Sequence, residues 1–93
     1  MSEDEQLEML INQTLNGAIS TIPDHMENIE KNKELLKIED AKEFVYGMII
    51  GMAFGMSSAL ITTQKGIPTE EDQLKIREII YKNVDDIRDK IFK

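Results

Sequence analysis

The 93 residues include no cysteine and no tryptophan, and aromatic residues of every kind make up only 5%. Without thiols there is no disulfide framework, no thiolate metal site and no cysteine nucleophile. A reducing, cytoplasmic setting fits this composition. The acidic opening MSEDEQ also lacks the basic stretch of an export signal. Histidine occurs once, as His25 between Asp24 and Glu27, and no E-x-x-H spacing accompanies it. It reads as a solvent-facing residue of a first helical turn rather than a metal ligand, so neither metal nor cofactor is expected. No glycine-rich loop joins a strand to a helix, because the glycines fall inside helical patterns. No run alternates with period two between turn residues, so strands are absent from the reading. With no nucleophile, no framed histidine and no phosphate cradle, catalysis is not expected.

Basic charge is also in short supply. The net charge is −7, and residues 1–43 hold eleven acids against four bases while residues 64–93 hold seven of each. A surface with that balance repels phosphate backbones, which argues against nucleic acid as a partner.

What the chain does have is helical periodicity. Ser2 with Glu5 opens a first helix over 3–22, and Leu7, Leu10, Ile11, Leu15, Ala18, Ile19 and Ile22 recur at its three- and four-residue spacing. The opposite face presents Asn12, Gln13, Asn16 and Ser20 without a charge. Gly17 in mid-helix costs about 1 kcal/mol against alanine, which leads us to expect a close neighbour there. Pro23 marks the junction to a second, highly charged helix over 24–37 with a thin stripe of Met26, Ile29 and Leu36. Its acids Glu27, Glu30 and Glu34, with the polar face of the first helix, are candidate partner surfaces.

Asp40 and Glu43 open a third helix over 41–65, and Gly66 and Pro68 close it, with Gly66 read as a left-handed cap. Thr69 caps a last helix over 70–92. There Ile76, Ile79, Ile80, Val84, Ile87 and Ile91 form one stripe, with Leu74 and Tyr81 at its edge. Four i,i+4 ion pairs are predicted on its outer side, from Glu71–Lys75 to Asp89–Lys93.

The third helix is the centre of the chain. Phe44 to Thr63 holds twenty residues without a charge, in a sequence that is 31% charged. Gly47, Gly51, Gly55 and Ala59 recur every fourth residue, with Met48, Met52, Met56 and Leu60 beside them. Residues four apart share a helix face, so this is a shallow small-residue groove beside a ridge of flexible thioethers. The length suits a membrane span, and G-x-x-x-G pairs helices in lipid. However, three glycines and four hydroxyl residues dilute its hydrophobicity, no Lys/Arg cluster marks one end, and two amphipathic helices need an apolar partner.

We therefore expect a single all-α domain, a bundle of about four helices around the Gly/Met-rich helix, completed by homodimerisation. The expected role is a soluble, non-catalytic protein-interaction module of the adaptor, inhibitor, immunity or regulatory kind. Residues Gly47, Met48, Gly51, Met52, Gly55, Met56 and Ala59 are expected at the helix-packing interface. Two alternatives are a single-span membrane protein paired through Gly47, Gly51 and Gly55, and a carrier of an apolar ligand along the methionines.

Overall fold

A computed structural model describes residues 2–93, all of it helix and connecting turn. Six helices follow in order: α1 Glu3–Ser20, α2 Ile22–Lys31, α3 Lys33–Leu36, α4 Ala41–Lys65, α5 Glu70–Lys82 and α6 Val84–Phe92. The helices pack around α4. Lys65 meets Asp72 at one end of that helix, Phe54 meets Tyr81 in the middle, and Glu43 meets Arg88 at the other. The α5–α6 arm therefore runs antiparallel to α4. The beginning of α1, at Gln6 and Leu7, lies against Ile61 and Gln64 near the end of α4. Glu8 reaches Lys75, so α1 runs beside α5 in the same direction.

The count of helices differs from the sequence reading because two asparagines interrupt two periodic stripes. Asn32 divides the helix expected over 24–37, and its Nδ2 donates to the Asn28 carbonyl at 2.8 Å. Asn83 divides the one expected over 70–92, donating from Nδ2 to the Ile79 carbonyl at 2.7 Å. A short amide side chain competes with the backbone ladder, so each asparagine ends one helix and starts another without breaking the apolar stripe. At the α1–α2 junction α1 stops at Ser20 rather than at residue 22. Thr21 caps it, and Pro23 falls in the first turn of α2, where its missing N–H is not needed.

Capping is partly as expected. The side chains of Ser2 and Asp40 accept from the N–H groups of Glu5 and Glu43. Only Thr69 and Asp72 complete a reciprocal box. Gly66 adopts φ 98° and ψ −164°, a glycine conformation but not the left-handed helical one expected; the left-handed residue is Lys37, after α3.

The core is a row of branched aliphatic side chains. Ile11 and Leu15 from α1, Val45, Ile49 and Ile61 from α4, Ile76 and Ile80 from α5, and Ile87 from α6 are all sealed from solvent. On α4 the buried residues are Ala41, Val45, Ile49, Ala53, Ser57 and Ile61, spaced every four. One helical ridge therefore forms the fully buried side of α4, with Phe44, Tyr46, Met48, Ile50, Met52 and Phe54 half-buried on its flanks.

Candidate functional site: the outer face of α4

A buried ridge at 45, 49, 53 and 57 places residues 47, 51, 55 and 59 on the far side of the helix, because a step of two residues turns the chain by about 200°. Gly47, Gly51, Gly55 and Ala59 are all exposed. A side chain built at any of the three glycines would have no neighbour within 4 Å. The close approach that the spacing called for is not made within this chain. The same holds for Gly17, which is exposed and open, so the expectation of a tight contact on α1 is corrected. There the glycine simply weakens an outward-facing turn.

The methionines lie beside the groove in a graded series. Met48 and Met52 are half-buried and pack against the core, whereas Met56 is 44% exposed and Leu60 39%. Tyr46, Ile50 and Phe54 border the other side. Phe54 meets Tyr81 edge-on with ring centroids 6.1 Å apart. The result is a strip of backbone and small side chains between two apolar flanks, running nearly the length of the helix.

The other candidate residues lie elsewhere. Asn12, Gln13 and Asn16 border a shallow depression on α1 with Met9, and Asn12 donates to the Glu8 carbonyl at 3.0 Å. Ser20 donates to the Gly17 carbonyl. Glu27 pairs with Lys31 at 3.0 Å in an exposed i,i+4 bridge, and Glu30 and Glu34 face solvent. Asn12, Ser20 and Glu27 are satisfied within their own helices, and the candidate residues do not gather into one site with the glycine strip. Among the described residues no three His, Cys, Asp or Glu side chains gather as a metal ion requires.

Two clusters fix the ends of α4; the Thr69–Asp72 cap was legible in the sequence, while the Lys65–Asp72 and Glu43–Arg88 pairings were not. At its start Arg88 forks onto Glu43 at 2.9 and 3.5 Å, with its guanidinium over the Tyr46 ring at 4.7 Å and the Phe92 ring at 4.4 Å. At its end Asp72, 5% exposed, accepts from Lys65 Nζ at 2.8 Å and from the Thr69 N–H at 2.9 Å. The Lys65 bond, helped by Thr69, holds the Asp72 carboxyl below its usual range, and Asp72 raises Lys65 in return. Of the predicted i,i+4 pairs, Asp86–Lys90 and Asp89–Lys93 form, while Lys75 turns to Glu8 on α1. Pairings across 45 residues, such as Glu43 with Arg88, leave no periodic signal in a sequence.

No protein-family model, no curated protein and no solved structure matches the chain. Its role is read from its own geometry.

The outer strip offers no charge, no nucleophile and no deep cavity. It offers 21 residues, Phe44 to Gln64, without an ionisable group other than the Tyr46 phenol, which points to the Arg88 side. Where side chains are missing from a helix, a second backbone can approach and dispersion contacts accumulate.

Proposed function

We propose that this protein is a small, non-catalytic helical interaction module that works by docking a helix against the outer face of α4, with self-association as its basic form. The observation that carries this reading is the open space beyond Gly47, Gly51 and Gly55, in the middle of the longest uncharged stretch of the chain. A glycine in a helix interior costs up to about 1 kcal/mol against alanine, and three in one row with nothing against them is a standing cost. Contact with a partner would offset it. The roles proposed for it are of the adaptor, inhibitor, immunity or regulatory kind, and the cytoplasm is the compartment proposed for it.

Methionine methyl resonances test the reading directly. On concentrating a 13C-methyl-labelled sample, Met52 and Met56 should shift or broaden together, while Met26, away on α2, should stay in place. Unchanged Met52 and Met56 signals at millimolar concentration contradict docking on this face by a second copy.

A second reading has its own support. Among the described residues α4 is the one helix long and apolar enough to cross a membrane, and only 28% of its most apolar stretch is buried. Against it stands the use made of the inner ridge: Ile76, Ile80 and Ile87 close onto α4 and would lose that cover if the helix left for lipid. Retention in the detergent fraction during purification, with no protein in the aqueous phase, would favour the membrane.

A further inference from the structure

The docking reading leaves open how the occupant sits, and the distribution of charge bears on that. We propose that two copies of the chain pack their α4 helices antiparallel, crossing near Ala53 so that Gly51 of each faces Gly55 of the other. This inference rests on the docking reading above.

The first support is electrical. The end of the bundle where α1 and α5 begin and α4 finishes is built from residues 2–8 and 65–78, which carry eight acids against Lys65, Lys75 and Arg77, a net of −5. The remainder carries ten acids and eight bases, a net of −2, and the far end of α4, residues 37–43 and 84–93, carries five bases against six acids and is close to neutral. Parallel packing sets one −5 end directly on the other. Antiparallel packing sets each acidic end beside the partner's near-neutral end, which relieves that repulsion, and it also opposes the two helix dipoles. The groove suits this arrangement, since the series Gly47, Gly51, Gly55 and Ala59 is centred on residue 53 and two-fold pairing about that point matches small residues throughout.

The second support is area. The chain exposes 6269 Å² of accessible surface. A folded monomer of its 10.7 kDa exposes roughly 5500 Å² by the usual scaling with mass. The excess, roughly 800 Å², is comparable to what one partner contributes to a stable interface. The α4 strip itself holds no charge from Phe44 to Thr63. A copy of the same face covers the strip without burying an unpaired ion.

The native chain has no cysteine, so single introduced thiols give an unambiguous test. Gly47→Cys and Ala59→Cys sit at exposed, open positions of α4 and are mixed in equal amounts under mild oxidation. A disulfide needs Cα atoms within about 7 Å. The expected result is a mixed 47–59 disulfide well above either self-linked product. Dominant 47–47 and 59–59 products would overturn the antiparallel arrangement and leave docking on this face intact. Dimers seen by light scattering with no disulfide in any combination would place the contact elsewhere and overturn both. A chain that stays monomeric at millimolar concentration would overturn the second copy as occupant.

Discussion

Ser57 lies on the buried ridge of α4 with no solvent exposure, and its hydroxyl has no hydrogen-bond partner. Every other fully buried position on that ridge is aliphatic, and Ala53 shows how little room the packing leaves. A small residue is needed at 57, but a hydroxyl is not. An unsatisfied buried polar group costs about 1–3 kcal/mol, and alanine is the better helix former. Ser57→Ala should therefore raise the urea midpoint by an amount equal to about 1 kcal/mol of stability. A destabilised variant would show that the hydroxyl is satisfied in solution and that α4 packs differently there. Glycine has opposite meanings at two sites in this chain. At Gly66 its positive φ is required by the corner, whereas at Gly51 the backbone is ordinary helix and the missing side chain matters only to whatever approaches from outside.

At the scale of elements, the corner between α4 and α5 has the clearest electrostatic signature. Asp72 serves three groups at once: it completes the capping box with Thr69, accepts from Lys65, and fills a buried position in the first turn of α5. Its carboxyl is held below the usual 3.8 by the Lys65 bond first and the Thr69 N–H second. A carboxylate with a lowered native pKa stabilises the fold above its unfolded pKa, and that contribution is lost as pH falls through the lowered value. Lys65, raised from 10.5, loses its share only in strong base. The stability gap between wild type and Asp72→Asn should accordingly be constant from pH 5 to 8 and shrink below pH 3.8. A gap that persisted unchanged in acid would mean that Asp72 acts through packing alone.

The elements themselves were largely legible in the sequence. Caps at Ser2, Asp40 and Thr69 and the stop at Gly66 gave the bounds of α4 and the starts of α1 and α5, because caps act through backbone groups three residues away. Asn32 and Asn83 were missed since an apolar stripe continues across both, and periodicity reports the buried face rather than the continuity of the ladder. The glycine strip was visible as a pattern. Which side of α4 it occupied was not, since the helix is apolar nearly all round and the choice of inner ridge was made by the isoleucines of α5 and α6.

The whole molecule is long and thin, 45 × 24 × 19 Å with a radius of gyration of 14.5 Å, where about 12 Å is usual for its length. An elongated bundle of this size buries little and leaves one side of its central helix uncovered. That shape, the unsupported glycines and the distant placement of charge all point to the same face. The measurement that tests this most directly is the solution mass of the detergent-free protein by light scattering across a concentration series, with Gly51→Leu run in parallel. Since position 51 is open within the chain, leucine there leaves the single-chain fold intact and blocks only an external approach. We expect the wild type to move toward twice 10.7 kDa while Gly51→Leu, equally helical, remains near 10.7 kDa. A wild type that stays at 10.7 kDa throughout, or a leucine variant that associates as readily, would contradict the account.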